Sequence, residues 1–327
     1  MRITRRHLQF SLAALWLFDG VLQCQPTFFS HNLVRVILPS AGRGQPAALA
    51  APLHLFATLV SAHPALTNLG IVIVQIVLGL GLLTKRFTRA ALAASIGWAV
   101  TIWFMGEGLG GVTSGATLLT GAPGAALLYA VIAVVAWPTR DEQGDDRPSW
   151  LALPAWCTLW LAGAGLQLVA GNNSTTSLAM MLRAAQSNSP EWIAGIDRYL
   201  GRLRTPSWAA AGVIAIYVLV AIWALVPGWT CQLSVGIGVF MSLSGWLLFQ
   251  GLGDLTSGRA TDPNTGPLIV LLALAVVGAA HPRDITQPSL DAVASSEPTL
   301  TTVLSSSGER EDRETHNRQP QSLTVGR

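Results

Sequence analysis

The chain has 327 residues, 51% of them hydrophobic and only 11% charged, with a mean hydropathy of +0.47. A soluble protein normally carries about twice that charge, so the composition points away from a water-soluble domain and toward a polytopic membrane protein. The net charge of +3 comes almost wholly from Arg, with Lys85 the one Lys. Basic residues beside apolar helices set topology, so no nucleic-acid partner is expected.

Arg2, Arg5 and Arg6 precede an apolar run over residues 8–24. Asp19 interrupts that run and no small-x-small cleavage pattern follows it, so it reads as a first transmembrane helix and not a signal peptide. Residues 25–68 form a long connection holding Pro26, Pro39, Pro46, Pro52 and Pro64. Within it, 47–62 is apolar enough to lie along the membrane surface but too interrupted to span. A second helix is expected over 69–84, closed by the turn Lys85-Arg86-Phe87-Thr88-Arg89, and a third over 90–105. A fourth begins at Gly121 or Pro123 and ends before Pro138. The charged, Pro-ended stretch 139–148 then separates two halves.

The second half follows the same plan, with helices expected over 150–170, 208–226, 231–249 and 267–280 and an amphipathic connection over 177–203. Local echoes support this. Gly108, Leu109, Gly110, Thr113, Ser114 and Gly115 recur 143 positions later as Gly251, Leu252, Gly253, Thr256, Ser257 and Gly258. Leu15-Trp16-Leu17 returns 144 positions later as Leu159-Trp160-Leu161. The spacing predicts a tandem duplication. The expected fold is all-α and transmembrane, about eight helices as two parallel four-helix repeats, over 1–138 and 150–280. A cytoplasmic linker (139–149) joins them, and a disordered cytoplasmic tail (281–327), poor in apolar residues, follows.

An even helix count puts both termini on one side and gives both repeats one orientation. Arg2, Arg5 and Arg6, the 85–89 turn, and Arg140 and Arg147 place that side in the cytoplasm of a bacterial cell membrane. The long connections and the Gly-rich loops then face outward.

Gly106-x-Gly108-x-x-Gly111 formally matches a dinucleotide fingerprint, but no strand precedes it and no βαβ unit follows. The Gly/Thr/Ser segments read instead as irregular backbone dipping into the outer membrane half, tolerated there only against protein or a wet cavity. Asp19 and Glu107 are ionisable groups at membrane depth, and their second-half counterparts are Gly163 and Gln250. An acid in that setting is a functional candidate by default. The expected polar pocket comprises Asp19, Gln23, Glu107, Gly108, Gly110, Thr113 and Ser114, with Gln25 near it, and would take a proton, a cation or a quinone headgroup. The bland alternative is interfacial carboxylates reaching water or bonding to the neighbouring loop. Asp254 and Arg259 are expected to pair with each other. His31, His54 and His63 have no ligand spacing, and Cys24, Cys157 and Cys231 are isolated, so no metal site is expected. Trp16, Trp98, Trp103, Trp160, Trp208, Trp223, Trp229 and Trp246 read as an aromatic belt. No nucleophile–base arrangement points to an enzyme.

The run from Gly70 to Arg89, GIVIVQIVLGLGLLTKRFTR, followed by an Ala-rich helix, resembles DoxX-like membrane proteins, as does Asp19-Gly20-Val21-Leu22-Gln23. The resemblance covers residues 8–138 and implies a four-helix unit. It also implies an accessory role in an envelope redox or maturation process, with quinone a possible cofactor and a membrane or periplasmic redox protein as partner. A small-solute or ion permease coupled to protons, and a membrane scaffold for a partner protein, are the alternatives.

Overall fold

A computed structural model describes residues 3–30, 33–34, 41–42, 44–138, 146–169, 171–174, 176–187, 189–202, 206 and 208–280. Among these the protein is all-helical, and Met1–His281 forms one compact unit. The tail expected over 281–327 and linker positions 139–145 lie outside the described residues.

Helix α1, Arg5–Leu22, starts at a capping box: Thr4 Oγ1 accepts from the His7 N–H, and His7 Nδ1 accepts from the Thr4 N–H. This satisfies two of the donors that a helix start leaves orphaned. Helix α2, Ala47–Ala62, carries Pro52 inside it. Helix α3, Pro64–Leu83, begins several residues earlier than expected because Pro64 sits at its first turn, where a missing N–H costs nothing. Helix α4 is Thr88–Met105 and α5 is Ala125–Val135, with the 3-10 turn Leu109–Ser114 between them. The second half runs through α6 (Ala152–Leu168), α7 (Ser177–Ala185), α8 (Glu191–Arg202), α9 (Ala209–Ala224), α10 (Trp229–Leu248) and α11 (Thr265–Ala280). The amphipathic connection over 177–203 thus becomes two short helices.

Helix α1 packs on α3 and α4 on α5; likewise α6 packs on α9 and α10 on α11. The α1–α3 approach needs glycine. A methyl at Gly79 would meet Leu17 Cγ at 2.6 Å and the Ala13 carbonyl at 3.0 Å, and one at Gly20 would meet Ile76 Cδ1 at 2.8 Å. Small residues let apolar helices close on each other where no hydrophobic effect drives them together. Helices α5 and α11 pack on each other and are mostly buried.

Among the described residues three helices, Pro64–Leu83, Thr88–Met105 and Trp229–Leu248, are long and apolar enough to cross a membrane. Along α3, Leu66, Leu69, Ile73, Val77 and Leu80 are all exposed at helical spacing, an apolar stripe that water would not tolerate. Helices α5, α6 and α9 are shorter than the sequence suggested, whereas α11, expected over 267–280, begins at Thr265. Helix α5 has 11 residues because its Gly/Pro-rich entry folds as loop, and at 1.5 Å per residue it falls well short of a bilayer. Its burial against α4 and α11 shields it from lipid.

The tryptophans divide into three groups. Trp208 and Trp229 are exposed, as a belt requires, but Trp16 and Trp160 are buried in the core. Trp16 stacks on Tyr129 at 4.5 Å between centroids and donates from Nε1 to Ser95 Oγ at 2.8 Å, which corrects their reading as headgroup anchors. Trp103 and Trp246 serve the loops described next.

Candidate functional site

The Gly-rich loops set the site's frame. Gly108, Leu109, Gly110 and Gly111 all have left-handed backbone, with φ of 54°, 59°, 62° and 70°. Gly251, Leu252, Gly253 and Asp254 repeat this with 55°, 59°, 69° and 61°. L-residues normally visit that region singly, so a whole left-handed turn, leucine included, is unusual and is found here twice. Each turn lies against a proline carbonyl. A methyl at Gly110 would overlap the Pro123 carbonyl, and one at Gly253 would meet the Pro263 carbonyl oxygen at 2.7 Å. The same two carbonyls accept indole N–H bonds, from Trp103 Nε1 at 2.6 Å and Trp246 Nε1 at 2.7 Å. The two loops also meet: Gln250 Nε2 donates to the Leu119 carbonyl at 3.1 Å, and Gly121 lies beside the Asn264 side chain.

Between α1, α3, α4 and α5 lies a cavity of about 430 Å³. Asp19 and Gln23 reach it from α1, Gln75 from α3, Trp98 from α4, Glu107 from the loop after α4, and Tyr129 from α5. Thr261 and Asp262 enter from the loop that precedes α11. Most of the remaining wall is apolar. Gly70 and Thr101, on α3 and α4, are exposed at its rim, so it opens sideways between those two helices.

The polar atoms here are incompletely satisfied. Asp19 Oδ1, Gln23 Oε1, Gln75 Oε1, Glu107 Oε2, Trp98 Nε1 and the Tyr129 hydroxyl are all buried without a hydrogen bond of normal geometry, the Tyr129 hydroxyl interacting with the Asp19 carboxylate. Buried polar groups are almost always paired, by protein or by water, so six such atoms around one cavity set this place apart. Glu107 and Asp262 also have structural duties. Glu107 Oε1 accepts from the Ala126 N–H at 3.0 Å and so caps α5, while Gly124 leaves room for the other oxygen. Asp262 accepts from the Thr261 hydroxyl at 2.8 Å and the Asn264 N–H at 2.7 Å. Burial pushes the Glu107 carboxyl above its ordinary range, the Asp262 charge pushes it further, and the Ala126 and Ala125 N–H groups pull it back. Burial likewise raises Asp262. Asp19, only 2% exposed, has no capping duty.

The corresponding place in the second half is nearly full. A residual space of about 10 Å³ is lined by Leu118, Leu119, Trp160, Tyr217, Met241, Ser242, Gln250 and Ile269. That is room for one water at most. At the 143–144 spacing of the sequence echoes, Asp19 answers to Gly163, Trp98 to Met241, Glu107 to Gln250, and Thr261-Asp262 to Leu118-Leu119. The loop of the second half is shorter, so the proline carbonyls are offset by 140, and at that spacing Tyr129 answers to Ile269. Leu118 occupies the space: a methyl on Gly163 would meet its Cδ2 at 2.9 Å. Gln250 is fully engaged, its Oε1 accepting from the Thr265 hydroxyl at 3.1 Å. The loops have exchanged places, each contributing to the cavity beside the other's helices.

Of the residues expected to form the pocket, Asp19, Gln23 and Glu107 line the cavity. Gly108, Gly110, Thr113 and Ser114 do not. Gly108 backs onto Ala41 and Gln45, Gly110 onto Pro123, the Thr113 hydroxyl bonds Gln45 Oε1, and Ser114 Oγ bonds the Gly111 carbonyl at 3.1 Å. They build the loop, and the loop then positions Glu107. Gln25 is also outside the lining; its side chain lies beside Gly258. Arg259 Nε does pair with Asp254 at 3.8 Å. Among the described residues no group of His, Cys, Asp and Glu is arranged to hold a metal ion, and His31 lies outside them. The cysteines are free, Cys157 and Cys231 buried and Cys24 exposed. Sequence reasoning missed Gln75, Trp98, Tyr129, Thr261 and Asp262. Gln75 had a signal, as the lone polar residue in the middle of an apolar run. No family model, curated protein or solved structure matches the chain.

Proposed function

We propose that the chain is a multi-pass membrane protein of two tandem, parallel four-helix units, with cytoplasmic termini, whose first unit binds a small amphiphilic molecule. The four helices of that unit, α1, α3, α4 and α5, match the unit that the DoxX-like resemblance implies. One observation carries the binding role: six buried polar atoms without a normal hydrogen bond surround an open cavity of about 430 Å³, whereas the second-half counterpart has two, Trp160 Nε1 and Ser242 Oγ, around a space of about 10 Å³ filled by leucine, methionine and isoleucine. Leaving polar groups buried and unpaired costs about 1–3 kcal/mol each, so the open cavity is maintained against stability. Apolar walls, a polar end and a lateral rim suit a ligand with a polar head and an apolar body that enters from the bilayer.

A quinone, the cofactor implied by the resemblance, fits this cavity only in part. Its head offers acceptors, so it would engage Trp98 Nε1, the Tyr129 hydroxyl and a protonated carboxyl but leave the amide oxygens of Gln23 and Gln75 unmatched. A proton-coupled permease is the second reading, favoured by three acids on one cavity. A pure scaffold needs no such cavity.

The test is native mass spectrometry of the protein purified in nanodiscs, wild type beside Asp19→Asn. A small molecule retained by the wild type and depleted in the variant is expected. Equal retention, or none in either with no binding from a lipid-extract library, would sink the binding role.

A further inference from the structure

We propose, resting on the reading of this cavity as a ligand site, that its ligand is an organic cation: a protonated or quaternary amine with an apolar body. Charge is the first argument. Asp19, Glu107 and Asp262 all line the cavity, and among the described residues no Lys, Arg or His does. Arg259, the basic residue nearest in sequence to Asp262, is half-exposed and turned to Asp254. Acids left unpaired in a largely apolar enclosure take up protons, as the raised Glu107 and Asp262 carboxyls do, and a bound cation is what would let them ionise there.

The spread of the acids is the second argument. An inorganic cation draws its ligands to one point, and no described trio of acids, His or Cys is gathered closely enough for that. Here the acids stand around about 430 Å³, a volume suited to a small organic molecule. The walls are the third. Trp16, Trp98, Tyr129 and Phe56 line the same space, and ring faces attract a desolvated organic ammonium. Four of the six atoms without a normal hydrogen bond are oxygens of carboxyl or amide groups, matched to N–H donors or to a diffuse positive charge. The filled counterpart has none of the acids, with Gly163, Gln250 and Leu119 in their places, and it replaces Trp98 and Tyr129 by Met241 and Ile269 while keeping Trp160 for Trp16.

The probe is benzyltrimethylammonium against its uncharged carbon isostere neopentylbenzene, titrated into full-length protein in zwitterionic nanodiscs. Tryptophan fluorescence and calorimetry are the readouts. The cation is expected to bind saturably, the isostere about tenfold or more weakly, and Asp19→Asn to lose about tenfold in affinity for the cation alone. Trp98→Met, which installs the residue found at the corresponding place in the second half, is expected to weaken the cation several-fold and serves if Asp19→Asn misfolds. Equal binding of cation and isostere, or binding of a neutral quinone analogue that the cation fails to displace, would overturn the cationic class and leave the ligand site standing. Tight binding of an inorganic cation in place of the amine would do the same. No binding by any probe would overturn this inference and the ligand site together.

Discussion

Asp197 is fully buried in α8, and its carboxylate interacts with the Ser189 hydroxyl without a hydrogen bond of normal geometry. Burial pushes its carboxyl from 3.8 up to about 6. An acid raised on folding binds its proton more tightly in the folded state, so its favourable contribution is complete below about pH 4 and is lost as pH rises through about 6. Asp197→Asn is therefore expected to raise Tm at pH 7.5 by about 2 °C or more and to leave it unchanged at pH 4, read by thermal unfolding in detergent. A variant no more stable than wild type at pH 7.5 would show that Asp197 pairs with something in solution. Single residues were legible in the sequence where the local context was discordant. Asp19 and Glu107 stand out as acids in apolar runs, and both line the cavity. Asp262 did not, because its short polar loop looks like any surface turn. Only the tertiary exchange of loops brings it to α1, more than two hundred positions away. Tyr129 and Trp98 were hidden for another reason: aromatic residues in apolar helices are ordinary core, and only the lack of a normal hydrogen bond at their polar atoms distinguishes them.

The left-handed turns raise a question of cost. Leucine at φ 59° costs about 1–2 kcal/mol, yet Leu109 and Leu252 both take it. Their neighbours explain why the turn survives, since Gly110 and Gly253 press on proline carbonyls that Trp103 and Trp246 hold from the other side. Leu109→Gly and Leu252→Gly relieve the backbone and are expected to change stability by no more than about 1 kcal/mol. Gly110→Ala drives a methyl into the Pro123 carbonyl and is expected to cost about 3 kcal/mol or more, and to displace Glu107 from the α5 terminus. Thermal unfolding of the four single variants is the check, Gly253→Ala included. Parity between the Leu→Gly and Gly→Ala changes would mean that the loops do not hold this conformation. The six matched residues of the two loops were plain in the sequence as a repeated motif. Their handedness was not, because a Gly-Leu-Gly string permits many backbones and a leucine argues against this one. Helix ends were legible where a cap or a proline sets them, as at Thr4 and Pro64. The extent of α5 was not, since its Gly/Pro entry is as apolar as the helix it leads into.

The whole molecule puts its shortest apolar helix near the centre and longer ones toward the outside. Composition made the all-helical, membrane-directed character plain, but an apolar residue facing lipid and one facing a helix look alike in sequence. That is why the expectation of about eight membrane helices, the fourth and eighth of them short, contrasts with three helices of spanning length and hydropathy among the described residues. It also bears on sidedness, which the positive-inside rule addresses only statistically because Arg is found in both sets of connections. The fold offers an independent constraint. The Gln250–Leu119 bond and the contact of Gly121 with Asn264 tie the two Gly-rich loops together, so both must emerge on one face whatever the orientation of the helices. Ser114 and Ser257 are exposed on those loops. In a Cys24→Ala background, which leaves the buried Cys157 and Cys231, Ser114→Cys and Ser257→Cys are expected to react with a membrane-impermeant maleimide added outside intact cells. Reaction only after the cells are opened, at both positions, would reverse the orientation and leave the fold intact. Reaction of one from each side would break the loop contact itself, and with it the route by which Asp262 reaches the cavity of Asp19.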